Sequence, residues 1–300
     1  MKMDKGSGKM MLLVNPVSGN RDKAPIIDAV KDAVGDRYPL QVFKTTGKDD
    51  LAQLKAALQK NPPDRILVCG GDGTIKLAAE ASEAAVVELG ILPAGSSNGL
   101  ATELDLPTDM EEAIVVALGT QTMTMDLLTV NDGMGIHISD MGLNAELIQN
   151  YDESSMRGQW GYFVNSIPTL RETDVPYDFR IKTDTAEDTF RAIMVAFTHC
   201  RKYGTGALVN PNGQIDDGKF EVLIFKKLDI KEILKTLAGK TEMDSDFVEI
   251  RSTTTAHVQC AVPVHLQIDG EPQKKAKEVT VTISPKKLRV AVGPEKNRSL

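Results

Sequence analysis

The feature that most restricts this chain is the alternation of short apolar runs with amphipathic helical stripes over its first hundred residues. "MLLVNP" reads as a strand ended by Asn15-Pro16, and "KAPIIDAVKDAV" then places Ile26, Ile27, Val30 and Val34 on one helical face. "LQVF" is a second strand run. In "DDLAQLKAALQK", Leu51, Leu54 and Leu58 form another stripe, which "NPP" stops. "RILVCGG", "TIKLAAEA", "LGILPAG" and "SNGLATEL" continue as strand, helix, strand and helix start. Strands and helices in this order predict a mostly parallel sheet covered on both faces, a three-layer α/β domain. Ligands of such sheets bind where loops leave the carboxyl ends of the strands.

After about residue 125 the texture changes. "YDFRIKTD" alternates strictly, and "TFRAIMVAF", "KFEVLIF", "TAHVQCAVPVHLQI" and "EVTVTISP" are further strand runs separated by Gly, Asn, Asp and Pro. These predict an antiparallel β-sandwich over 126–287. Two helical segments interrupt it: "MRGQWGYFVNSIPTL", with Trp160, Phe163, Val164 and Ile167 at helical spacing, and "DIKEILKTLAG". The first domain is expected over 1–125, with "LRVAVGP" and the rest of 288–300 returning to it.

Composition narrows the function classes. A net charge of −7 opposes nucleic acid as a partner, because neutralising phosphates needs a basic field. It also opposes a permanent grip on anionic lipid. Three cysteines without a CxxC pair give neither a disulfide framework nor a structural zinc site, and they suit a reducing cytosol. "MMLLV" is too short to span a bilayer.

The chemistry sits in three loops. "GGDGT" (70–74) follows one apolar run and opens a helix. That arrangement offers backbone N–H groups to an anion and lets the anion come close. A tight Gly-Asp-Gly turn explains the same residues. "NPVSGN" (15–20) and "PAGSSNGLA" (93–101) also leave strand ends, and each combines glycine with small hydroxyl or amide side chains. Turn chemistry accounts for each loop singly and for the set less well. Walker and protein-kinase phosphate motifs are both lacking.

The trio "NPVSG", "GGDGT" and "PAGSSNGLA" resembles the diacylglycerol-kinase-type lipid kinases, a family that includes bacterial diacylglycerol kinases, sphingosine kinases and ceramide kinase. "SDMGLNAEL", "RGQWGYF", "YGTGALVNPNGQIDDGKFEVLIF" and "IDGE" follow in the family's order. The resemblance implies ATP and Mg²⁺ as cofactors, ATP bound between the domains, and γ-phosphate transfer to a hydroxyl of a diacylglycerol or sphingoid lipid. It implies Asn15, Pro16, Ser18 and Gly19 in a first nucleotide loop and Thr46 on the adenine side, where Thr45 competes. Gly70, Gly71, Asp72, Gly73 and Thr74 match the phosphate and metal loop. Ser96 and Asn98 lie near the phosphates, and Asp126 matches an acidic position of the Asp–water–Mg²⁺ network. Glu271 of "IDGE" matches the proton acceptor, although "DG" is also a favoured hairpin turn. Asp217, with Gln214 and Lys219, matches a structural Mg²⁺ site, and Asp216 takes that place if the register is off by one.

Two positions depart from the pattern. Asn98-Gly99 replaces the Asn-Asp usual in bacterial diacylglycerol kinases and is similar to the sphingosine-kinase version. Asn20 stands where a lysine commonly follows "NPxSG", which leaves Arg21 or Lys23 to supply the charge. Asp140 resembles the sphingosine-kinase aspartate that meets the lipid's amino alcohol; a solvated or capping aspartate is the competing reading. A soluble-substrate kinase of the NAD-kinase type and a non-catalytic lipid- or nucleotide-binding relative stay open beside the lipid kinase. The expected setting is cytoplasmic, with peripheral and transient membrane contact. A homodimer is left open.

Overall fold

The computed structural model describes residues 8–82, 87–143, 176–203, 206–240 and 243–294. The chain divides into two compact units: Met1–Met125 with Lys286–Leu300, and Asp126–Pro285.

The first unit is a parallel sheet of β2 (Leu40–Lys44), β1 (Met10–Val14), β3 (Arg65–Gly70) and β4 (Glu88–Pro93). Beside β4 runs the end of β16 (Glu271–Ala291), through Arg289 and Val290. Between the strands lie α1 (Ala24–Val34), α2 (Asp50–Lys60), α3 (Asp72–Ala81), α4 (Gly99–Glu103) and α5 (Met110–Ala117). One sheet face, carrying Leu12, Val14, Leu67, Cys69 and Leu92, packs on Ile27, Val30 and Val34 of α1 and on Ala113, Ile114 and Ala117 of α5. Met11, Leu13, Ile66, Val68 and Leu89 alternate with that set along the strands and are equally buried. Helix α3 packs on β3 and on α2. Burial of both faces is what makes the strand runs apolar throughout. Each fully buried Leu, Ile or Val contributes about 1.5–3 kcal/mol.

Helix α5 is an element that periodicity alone did not pick out. Its cap is local: Asp109 Oδ1 accepts the Glu112 N–H at 3.0 Å, the side chain-to-N3 half of a capping box.

The second unit is antiparallel, and its two shortest strands among the described residues, β11 (Lys202–Tyr203) and β12 (Ala207–Leu208), pair with each other. One run of strands is β14 (Val248–Thr253), β13 (Phe220–Phe225), β10 (Met194–Thr198), β7 (Ile138–Gly142) and β15 (Thr255–Ile268). The amino-terminal part of β15 pairs instead with β8 (Tyr177–Thr183), which pairs with β9 (Glu187–Ala192). The run "TFRAIMVAF" is thus two strands, broken at Ile193. Strand β15 serves both groups because its register slips between Gln259 and Val264 and again before Leu266. A bulged strand can bend from one sheet to another in this way. Pro263, which lacks an N–H, sits in the slip. The core is built from Phe179, Ile181, Val195, Phe197, Phe220, Val222, Val258, Val279 and Val281. A second cluster, with Leu223, Phe225, Phe247 and Val248, includes Ile233 of α6 (Ile230–Leu237). The segment with Trp160, Phe163, Val164 and Ile167 lies outside the described residues. Strand β5 (Thr122–Val130) and the short β6 (Gly133–Gly135) carry the chain into this unit. The fold class is the expected one: a three-layer α/β unit and an antiparallel β-sandwich.

Candidate functional site

In the first unit, parallel strands bring three glycine loops to the same end of the sheet. Loop 15–20 leaves β1. Asn15 Oδ1 accepts the Val17 N–H at 3.2 Å, an Asx turn that lets Pro16 stand exposed. The Ser18 hydroxyl lies 3.0 Å from Asn15 O and 3.1 Å from Ala94 O. A β-carbon on Gly19 would sit 2.6 Å from Ala94 O, so at Gly19 the backbones of this loop and the loop after β4 approach with no room for a side chain. Gly71 and Gly95 make the second approach. A β-carbon on Gly95 would collide with Gly71 Cα and lie 2.8 Å from Gly71 N. The glycines are therefore needed for loop-to-loop contact, whatever else they serve.

With Ser18, two further sets of polar side-chain bonds lock this arrangement, one from Asp72 and Asn98 and one from Lys23. Asp72, in the first turn of α3, accepts the Gly99 N–H at 2.8 Å and the Leu100 N–H at 2.9 Å. It caps α4 from 27 residues away, because the side chain of Asn98, the N-cap residue, makes no capping bond. Asn98 turns instead to Gly95, accepting its N–H at 2.8 Å and donating to its carbonyl at 3.0 Å, with Asn98 itself in the left-handed region at φ 52°. The second lock is Lys23. Its ammonium donates to Ser18 O at 2.5 Å, Ala94 O at 3.0 Å and Arg21 O at 3.2 Å. Burial, opposed by the neighbouring Cys69 and reinforced by Arg21, holds the Lys23 pKa below the ordinary lysine value. The same burial raises the Cys69 thiol to about 11. Of the two cations weighed in place of Asn20, Lys23 is committed to backbone carbonyls. Nothing in the sequence pattern points to that role.

The remaining candidates of this unit lie on the same loops. Gly70 and Thr74 are buried, with the Thr74 side chain filling the space where a Gly70 β-carbon would stand. Gly73 and Ser96 are exposed. Thr46 is exposed beyond β2; its N–H and hydroxyl meet Asp50 Oδ1 at 2.8 and 3.1 Å. Thr45 is buried and donates its N–H to Val14 O.

In the second unit, Asp126 is fully buried on β5, where the loop 210–219 closes over it: Asp126 N donates to Ile215 O at 2.8 Å and Asp126 Oδ2 accepts the Gly218 N–H at 2.7 Å. Gln214, Asp216, Asp217 and Lys219 are exposed on that loop, and Asp217 Oδ1 accepts the Lys219 N–H at 2.9 Å. Carboxylate and amide oxygens and backbone carbonyls are hard donors, a set that suits Mg²⁺ keeping several waters. Nearby, His199 is fully buried and neither ring nitrogen has a hydrogen-bond partner among the described residues. Burial and then His137 lower its pKa to about 4, with Asp126 opposing.

Glu271 leaves a two-residue turn between β15 and β16, exposed, and pairs across it with Ile268. Asp269 and Gly270 have φ values of 54° and 84°, both positive as a type I′ turn requires. Asp269 accepts the Ile136 N–H at 3.0 Å and the His137 N–H at 2.8 Å. Asp140 lies inside β7, fully buried, and Gln267 Nε2 donates to its Oδ2 at 2.5 Å. It is not a solvated aspartate.

Two family models match the chain: the diacylglycerol kinase catalytic domain over residues 9–130 and the YegS C-terminal NAD kinase beta sandwich-like domain over 138–292. The chain belongs to the diacylglycerol kinase family of lipid kinases. It is 27% identical over 281 residues to a diacylglycerol kinase of Mycobacterium tuberculosis, covering 88% of this chain and 89% of the relative. It is 29% identical over 267 residues to a probable YegS-like lipid kinase of Chromohalobacter salexigens, covering 83% and 84%. Among solved structures, a diacylglycerol kinase from Bacillus anthracis str. Sterne superposes with a TM-score of 0.75 at 16% identity, over 96% of this chain and 97% of that one. An NAD kinase from Archaeoglobus fulgidus in complex with ATP gives a TM-score of 0.55 at 13% identity, over 96% and 95%. At these identities the structural likeness speaks to the fold alone. Among the described residues no helix is long and apolar enough to cross a membrane.

Proposed function

We propose that this protein transfers the γ-phosphate of ATP to a hydroxyl of a lipid, a diacylglycerol or a sphingoid base, in an Mg²⁺-dependent reaction. The observation that carries the proposal is the joining of the three glycine loops, by Ser18, Lys23, Asp72 and Asn98, into one backbone-lined surface at the strand ends. Gly71 and Gly73 at the start of α3 present N–H groups to phosphate oxygens, with buried Gly70 and Thr74 shaping the loop beneath them, flanked by Asn15, Pro16, Ser18, Gly19 and Ser96, with Thr46 toward the base. Mg²⁺, when bound, would neutralise charge on the phosphates; Asp72 is the carboxylate of the phosphate loop that would serve it, Asp126 is the carboxylate the second unit would offer, and Asp217 with backbone carbonyls at Gln214 and Lys219 would hold a structural ion. Glu271 accepts the proton as the lipid oxygen bonds to the γ-phosphorus and the bond to the β-phosphate oxygen breaks, leaving ADP. The exposure of Glu271 beside a rigid two-residue turn supports that role. Membrane contact is peripheral and brief.

The test is transfer from γ-labelled ATP with Mg²⁺ to detergent-dispersed diacylglycerol, sphingosine, ceramide and monoacylglycerol, with NAD as a soluble acceptor. The parent is expected to label one lipid class, and Glu271→Gln to lose about 10²–10⁴-fold in kcat. Labelling of NAD alone, or of nothing while ATP still binds, refutes the proposal.

A further inference from the structure

The turn that carries Glu271 is held from beneath by a side chain that no motif singles out. Gln267 is completely buried although it alternates with Val264, Leu266 and Ile268, which also face a core. Both ends of its amide are engaged. Oε1 accepts the Gly270 N–H at 2.6 Å, and Nε2 donates to Asp140 Oδ2 at 2.5 Å. Gly270 is the second residue of the turn, and Glu271 is the next along the chain. A second strut runs parallel: Asp269 N donates to Ile138 O at 3.0 Å, while the Asp269 carboxylate takes the Ile136 and His137 N–H groups. Within β16 itself, Gln273 Nε2 donates to Glu271 O at 3.0 Å, a local bond that ties Glu271 to no other element.

We infer that Gln267 is a positioning residue for Glu271, and that the Asp140 carboxylate acts through it as the anchor on β7. The reasoning is one of degrees of freedom. A type I′ turn fixes two backbone residues, and the ladder between β15 and β7 ends at Ile268, so the turn beyond it can still rock about the strands. Only bonds to a neighbouring element stop that motion. β7 is such an element, because it is buried throughout and paired on both sides, with β10 and β15. The Asp140 carboxylate is an acceptor outside the backbone ladder, and the Gln267 amide both donates to it and accepts from Gly270 N. The amide is thereby oriented: reversing it would set its NH₂ against the Gly270 N–H and its oxygen against the carboxylate. This assigns Asp140 to the turn rather than to a lipid ammonium.

The inference rests on Glu271 as the proton acceptor, so the experiment has one arm that needs no activity. Amide hydrogen exchange at Gly270 is followed in the parent, Gln267→Leu, Asp140→Asn and Asp140→Leu, with thermal unfolding as a check on folding. Protection at Gly270 is expected to fall about tenfold or more in Gln267→Leu and Asp140→Leu, and to survive in Asp140→Asn, which keeps an acceptor oxygen. Unchanged protection in Gln267→Leu overturns the clamp, whatever the protein phosphorylates. In the kinetic arm, Gln267→Leu is expected to lower kcat roughly 10–100-fold, the scale of a misplacement of about 1 Å, with the KM for ATP unchanged. On a Glu271→Gln background the same substitution is expected to cost nothing further, since residues acting as a unit are non-additive. Equal losses with and without Glu271 overturn the positioning role even where the clamp is real. A raised KM for a sphingoid base in Asp140→Asn, with kcat kept, overturns the anchor role and restores a substrate contact. A parent that labels no acceptor refutes the kinase reading and leaves the exchange result standing.

Discussion

The carboxylate of Asp72 offers the sharpest separation of scaffold from chemistry. It accepts two N–H groups at the start of α4, at 2.8 and 2.9 Å, where the local cap residue has turned away to Gly95. Replacing a capping side chain by alanine costs about 0.5–2 kcal/mol, and a hydrogen bond to a charged group is worth roughly 1.5–3 kcal/mol. The two bonds share one carboxylate and are not additive, so Asp72→Ala is expected to lose about 2–4 kcal/mol. Asp72→Asn keeps one acceptor and turns a donor toward the other N–H, for a loss of about 1–2 kcal/mol. Both losses fall within the ~5–15 kcal/mol a domain commonly holds, so both variants fold. Urea unfolding measures them as a lower midpoint at constant slope. Exchange at the Gly99 and Leu100 amides locates the effect. An alanine variant within about 0.5 kcal/mol of the parent, the range of ordinary surface substitutions, refutes the capping argument. If Asp72 also serves the metal, Asp72→Asn loses transfer activity far out of proportion to its small loss of stability. A proportionate loss assigns it to the scaffold alone.

Two further outcomes are expected. Gly95→Ala drives a β-carbon into the backbone of Gly71, so it is expected to cost about 1–3 kcal/mol as overpacking and to weaken ATP binding, read by calorimetry; an unperturbed variant would mean that the loops do not touch. Burial lowers the His199 pKa to about 4 from an ordinary histidine value of 6.5. The unfolded chain therefore takes up the proton first, and stability present above about pH 6.5 is lost as the pH falls toward 4. At about 1.4 kcal/mol per unit, the parent is expected to lose roughly 2 kcal/mol more than His199→Leu between pH 7.5 and 5; equal losses in the two proteins refute it.

Much of the fold was legible because it follows from local periodicity. Apolar runs such as "MLLV" and "ILVC" with helical stripes between them leave few options but a parallel sheet between helix layers, and strict alternation in "YDFRIKTD" marks β8 with Phe179 and Ile181 inside. Asp269-Gly270 was legible as a hairpin turn, since few residue pairs tolerate two positive φ angles. Even α5 had its signal, in Asp109 three residues before Glu112.

What the sequence could not decide is which distant partner each polar side chain meets. Local rules make Asn98 the cap of α4, yet tertiary packing gives that task to Asp72. Lys23 reads as a candidate to supply the charge missing at Asn20, and the packing of two loops buries it against their carbonyls. Gln267 reads as the polar side of an alternating strand, yet packing buries it completely and the pairing with β7 sets Asp140 beside it as a partner. Periodicity reports the faces of one element, because it is set by the chain's own geometry over a few residues. Partners 27 or 127 residues apart are chosen by which buried donors and acceptors are left to be matched once the elements have packed.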